Sequence, residues 1–176
     1  MKRTVIVIAL CLMQAMPLIA QPEEHKAEHT LKHHNVVALF VGNTLIKPSG
    51  FNLPTVGIEY IRELNHHIGI GFMAEAEIGS HIIQVNEING NVTELDRSGA
   101  ILLIPAVFAR VYKGLIASVG YGVEFENNEN LGLLKVSLEY KLPMKNERFM
   151  VLPTVSWDHT NRFEGWVYGV NFGYLF

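Results

Sequence analysis

Residues Gly165–Phe176 read Gly-Trp-Val-Tyr-Gly-Val-Asn-Phe-Gly-Tyr-Leu-Phe, and their alternation decides the fold. Trp166, Tyr168, Val170, Phe172, Tyr174 and Phe176 share one parity, while Gly165, Gly169, Asn171 and Gly173 dominate the other. Successive side chains of a β-strand point to opposite faces, so this is a strand with one greasy face and one face of small or polar residues. The same pattern recurs upstream. Ile68, Ile70, Phe72, Ala74, Ala76 and Ile78 oppose Gly69, Gly71, Met73, Glu75 and Glu77. Leu115, Ala117, Val119, Tyr121, Val123 and Phe125 oppose Ser118, Gly120, Gly122, Glu124 and Glu126.

From Asn35 onward, eight segments of this character follow one another, at about 35–45, 54–62, 67–78, 99–111, 115–126, 132–142, 148–157 and 165–176, separated by turn signals. Their connections alternate in length. Residues 64–67, 113–114 and 143–147 form short ones, whereas 46–53, 79–98, 127–131 and 158–164 are mostly longer and more polar. Asn89-Gly90 marks a hairpin tip within the longest. The 176 residues suit one domain, and the pattern predicts an all-β, eight-stranded antiparallel up-and-down barrel over 35–176.

Two barrels fit such strands. A soluble one hides its apolar face; a transmembrane one turns it outward and keeps glycine and polar groups inside. The polar face here is rich in glycine and carries mid-strand carboxylates, unlike a solvated strand face, where glycine weakens the ladder. A narrow lumen favours such small residues beside larger ones. Tyr60, Tyr140, Trp157, Trp166, Tyr174 and Phe176 fall near strand ends, where interfacial girdles lie. The reading is therefore a transmembrane β-barrel. Pro105 and Pro153 interrupt predicted strands, so a bulge or a missing ladder bond is expected at each.

Residues 1–20 read as a signal peptide: Lys2 and Arg3, an apolar Thr4–Met13, and a small Ala20 before Gln21-Pro22-Glu23-Glu24. The one cysteine, Cys11, lies within it, so the mature chain has no thiol for a disulfide staple. Removing Lys2 and Arg3 leaves 12 of 14 basic residues against 17 acidic ones, a net of −5. That balance offers no basic surplus for nucleic acid.

With its terminal aromatic Phe176, and Tyr174 and Phe172 on the same face, the chain end looks like the C-terminal assembly signal of bacterial outer-membrane barrels. Residues 35–176 resemble the small eight-stranded outer-membrane barrel family, of which OmpX and the membrane domain of OmpA are members. The resemblance implies a Gram-negative outer membrane, contact with its lipid, insertion by the barrel-assembly machinery, and both chain ends in the periplasm. The four longer connections would then face outward.

Counting from the periplasmic ends assigns a lumen charge network. Glu59, Arg110, Glu139 and Lys141 form a lower layer; Glu75, Glu77, Glu124 and Lys135 an upper one; Glu126 and Asp158 approach the outer rim. Acid exceeds base, which calls for a bound proton or cation. The favoured reading is a salt-bridged plug, because unpaired buried ions are costly. Phe40, Met73, Leu102, Ile104 and Phe108 also point inward and outline an apolar pocket in the outer half. The polar segment 21–34 carries His25, His29 and His33 at a spacing of four, a candidate zinc or copper set if the segment is helical. His66 and His67 fall in the first periplasmic turn.

Ser156, Asp158 and His159 supply the residue types of a nucleophile, an orienting group and a base, but alternation turns Ser156 and Asp158 inward, away from lipid. The expected protein is a monomeric, non-enzymatic barrel without cofactor. Its role is structural or adhesive, with loop 79–98 open to a surface partner. The alternative is a narrow conduit or binding site for a small apolar or cationic ligand.

Overall fold

Branched and aromatic residues at every second position favour the pleated conformation, and the computed structural model is built from strands. It describes residues 35–47, 49–86, 92–126, 130–142, 144–145 and 148–176, with side chains described for all of these except 80–98. Ten strands occur among them: β1 (Asn35–Lys47), β2 (Phe51–Glu63), β3 (Ile68–Glu77), β4 (Ser80–Asn86), β5 (Val92–Ser98), β6 (Ile101–Tyr112), β7 (Leu115–Phe125), β8 (Asn130–Tyr140), β9 (Phe149–Thr160) and β10 (Glu164–Leu175). Eight close into an antiparallel ring in the order β1-β2-β3-β6-β7-β8-β9-β10, and β4 and β5 form a separate hairpin. The ring shuts where Asn35 and Phe176 exchange backbone hydrogen bonds of 3.2 and 3.0 Å.

The register sets the barrel's dimensions. A line drawn across the strands from Val36 passes through Ile61, Gly71, Ala106, Gly120, Lys135, Asp158 and Gly165, and returns to β1 at Ile46, ten residues beyond its start. Eight strands with that stagger tilt by about 41° and enclose a backbone radius of about 8 Å. Such a bore is filled by side chains alone.

The faces are inverted relative to a water-soluble protein. Ile70, Phe72 and Tyr121 stand outside at 47 %, 45 % and 67 % exposure, while Glu75, Glu77 and Glu124 are buried inside. An apolar belt around a charged interior is the arrangement of a barrel bathed in hydrocarbon. Closure suits that setting, because an unpaired amide in lipid costs several kcal/mol.

Both prolines leave the expected marks. The β6–β7 ladder skips Ile104 and Pro105 opposite Gly122 and Tyr121. The β8–β9 ladder stops at Thr154, one residue before Pro153. A bulge at Val111 adds a register shift before the Lys113-Gly114 turn.

The connections correct the sequence reading. Residues 46–53 and 158–164 belong mainly to strands, so the first and last outer connections shrink to residues 48–50 and 161–163. Their polar residues are no obstacle to a strand, since Asp158 and Thr160 turn into the lumen and find partners there. One connection is long, and it carries the β4–β5 hairpin. Glu77 N–H to Ala100 O (2.9 Å) and Gly99 N–H to Gly79 O (3.1 Å) carry the β3–β6 pairing into Ser80↔Ser98. Gly99, at φ 66°, takes the backbone through a bend open to glycine.

Candidate functional site: the lumen and its two ends

At mid-height the lumen is crossed by one charged layer. Lys135 of β8 donates to Glu75 of β3 at 2.9 Å and to Asp158 of β9 at 3.0 Å, with all three side chains buried. Strand stagger brings them level: Lys135 and Asp158 are direct cross-strand partners, and Glu75 reaches them from across the bore. Among the described residues Lys135 is the one buried cation, set among six buried carboxyl groups: Glu59, Glu75, Glu77, Glu124, Glu139 and Asp158.

Below this layer, Glu59 and Glu139 bring their carboxyl groups together. The Asn171 amide donates to Thr154 Oγ1 (3.3 Å) and toward Glu139 (3.5 Å). A cavity of about 10 Å³ lies between the two layers, beside Phe40, Met73 and Ser137, with room for about one water.

Apolar side chains fill the rest. Met73, Leu102, Ile104, Phe108, Leu133 and Leu152 belong to one buried cluster that lines the β6 side. Ile46, Leu53, Leu131 and Phe163 form a second cluster. Phe163 belongs to the 161–163 turn, which Thr160 holds by accepting from Phe163 N–H at 3.0 Å. This folds an aromatic ring over the upper mouth. The lower mouth is a shallow cup of about 40 Å³. Its floor includes Val36, Ile61, Phe108 and Met150, and its rim includes Glu63, Arg110 and Lys141.

Several sequence assignments move. Glu59, Glu75, Glu77, Glu124, Lys135 and Glu139 are buried in the lumen. Arg110 is not in the buried network. It is 40 % exposed at the lower mouth and pairs with Glu63 at 3.3 Å, just before the bulge at Val111. Lys141 also lines that mouth. Asp158 joins the central layer instead of the rim, because β9 runs three residues past its predicted end. Phe40, Met73, Leu102, Ile104 and Phe108 all turn inward and are buried. They pack against neighbours where an open outer pocket was expected.

Phe172, Tyr174 and Phe176 lie on the outer wall, with Tyr174 ringed by Phe149 (5.2 Å) and Phe176 (6.4 Å). His66 and His67 are exposed in the 64–67 turn. His159 points outward beside Trp157 and Glu164 while Ser156 and Asp158 point inward, so the three do not converge. His25, His29 and His33, with the predicted signal peptide, lie outside the described residues. Phe163 and Arg62 were missed. Arg62 shares the outward parity of Tyr60 and Ile58, and a cation on the lipid face at a strand end is legible by counting.

No protein-family model matches the sequence, and no curated protein matches it. Among solved structures, Ail, the attachment invasion locus protein of Yersinia pestis, in complex with the heparin analogue sucrose octasulfate, aligns over 83 % of this chain and 100 % of its own, with a TM-score of 0.51 and 10 % identity. Ail in a phospholipid bilayer nanodisc aligns over 82 % and 100 %, with a TM-score of 0.49 and 12 % identity. The β domain of the Bordetella autotransporter BrkA aligns over 82 % and 99 %, with a TM-score of 0.37 and 9 % identity. The chain has the fold of the small eight-stranded outer-membrane β-barrels.

Proposed function

We propose that this protein is a monomeric outer-membrane barrel with a non-conducting lumen, and that its task is to hold the β4–β5 hairpin above the outer leaflet as a surface-interaction element. The observation that carries the reading is the continuity of the hairpin with the barrel wall. Glu77 N–H to Ala100 O and Gly99 N–H to Gly79 O link β3–β6 to β4–β5 across a one-residue shift of register. Seven-residue strands reach about 24 Å beyond the rim. The outer edges of the hairpin pair with no other strand among the described residues, and a free edge can accept a strand from another protein. The plug is supported by the Lys135 layer, the Phe163 cap and the apolar filling between. Asn35, Phe176 and the 64–67 and 113–114 turns lie at the opposite end, which faces the periplasm in this reading.

A single cysteine at Gly90 tests the placement, since Cys11 falls in the predicted signal peptide. Labelling on intact cells by a membrane-impermeant maleimide is the expected result; labelling only after the outer membrane is permeabilised overturns it. In planar bilayers the purified barrel is expected to give no stepwise current. Defined single-channel steps would favour the conduit instead.

A further inference from the structure

The outer wall carries a groove of about 710 Å³ that crosses from β2 to β8. Phe72, Pro105, Val107, Val119 and Tyr121 line it, and the wall beneath thins to Gly71, Ala106 and Gly120. It runs alongside the gap that Pro105 leaves in the β6–β7 ladder. Tyr121, the most exposed of these side chains at 67 %, stands up from its border. At its foot, near the barrel end where Asn35 and Phe176 meet, lie Tyr60 and Arg62.

Arg62 is pre-positioned. Its Nη1 donates to Asn35 Oδ1 at 2.9 Å, and the Tyr60 hydroxyl donates to the same oxygen at 2.8 Å. Asn35 is neutral, so this contact fixes the guanidinium without discharging it. Among the described residues no carboxylate pairs with Arg62. A guanidinium has five N–H donors in a planar fork suited to phosphate oxygens.

We propose that this groove is a binding site for one phospholipid of the periplasmic leaflet, with its phosphate on Arg62 and an acyl chain laid along Phe72, Val107 and Val119 toward Tyr121. Charge and apolar surface are arranged as a headgroup and tail require: one fixed cation at the interface and a concave apolar track rising from it. Lipopolysaccharide is disfavoured because Arg62 sits at the end opposite the hairpin. The site rests on the membrane placement proposed above.

The test is native mass spectrometry of the full mature barrel, extracted in mild detergent from vesicles of phosphatidylethanolamine and phosphatidylglycerol. Folding of each variant is checked by heat-modifiable gel mobility. Wild type is expected to retain one phospholipid. Arg62→Gln is expected to lower occupancy roughly fivefold, the equivalent of about 1 kcal/mol for one arginine near a bilayer surface. Val119→Trp, which fills the track and leaves the charge, is expected to lower it as well. Lys47→Gln, at the upper rim, leaves it unchanged. Undiminished retention in Arg62→Gln overturns the proposal, as does retention of lipopolysaccharide in place of phospholipid from native membranes. Tryptic cleavage of the reconstituted barrel within its ring strands, as at Lys135, would instead defeat the membrane placement itself, a readout separate from lipid retention.

Discussion

Lys135→Met is the sharpest perturbation of the central layer. Methionine is an unbranched side chain one atom shorter and removes the charge. Lys135 Nζ sits 2.9 Å from Glu75 and 3.0 Å from Asp158, with all three side chains buried. Deleting the cation leaves two carboxyl groups in the bore without their shared partner, and solvent cannot reach them. Breaking a buried ion pair from one side costs roughly 3–5 kcal/mol, or about two to four powers of ten in the folded-to-unfolded ratio. Most of that cost is the stranded acid and not the lost attraction. The triple variant Lys135→Met, Glu75→Gln, Asp158→Asn is therefore expected to recover most of the loss, since replacing a whole buried ion cluster with neutral groups is often close to neutral. The assay is urea unfolding from phospholipid vesicles, followed by gel mobility and tryptophan emission. A single variant within about 1 kcal/mol of wild type would refute the reasoning, as would a triple variant no more stable than the single one.

Gly169→Ala is expected to destabilise by about 1–3 kcal/mol through overpacking, because its new Cβ would run into the Val41 carbonyl oxygen and would meet the Phe40 ring and the Gly42 Cα, both at 2.7 Å. In the same urea assay, Phe40→Leu combined with Gly169→Ala should cost less than the sum of the two single changes. Trp157 and Trp166 are cross-strand partners and the chain's two tryptophans. Chain-brominated lipids are expected to quench both, with each Trp→Phe variant leaving the other quenched. Quenching by acrylamide in water but not by brominated lipid would contradict the outward apolar belt.

Much of this molecule is legible from parity alone. The period of two and the company of glycine with carboxylates placed Glu75, Glu77 and Glu124 inside and Ile70, Phe72 and Tyr121 outside. Pro105 announced a gap in the ladder because a residue without N–H cannot complete it. What parity does not carry is height. The stagger of ten residues around the ring is a property of all eight pairings together, and no single strand encodes it. Asp158 was therefore read at the rim, although it shares a layer with Lys135 and Glu75. Strand ends were obscured for a related reason. Asp158 and Thr160 look like loop residues until the lumen supplies their hydrogen-bond partners. Arg110 likewise keeps its parity but lies near the end of β6, at the lower mouth and outside the buried layer.

The mutual bonds of Asn35 and Phe176 have a consequence for how the object can be made. The first and last staves of the cask are neighbours, so no growing or trimmed version of the chain is a smaller finished cask. Every version lacking β10 leaves both β1 and β9 with a raw margin of amides and carbonyls, a surface that invites other chains. Completion is therefore a single late event, and until it happens those margins stand open.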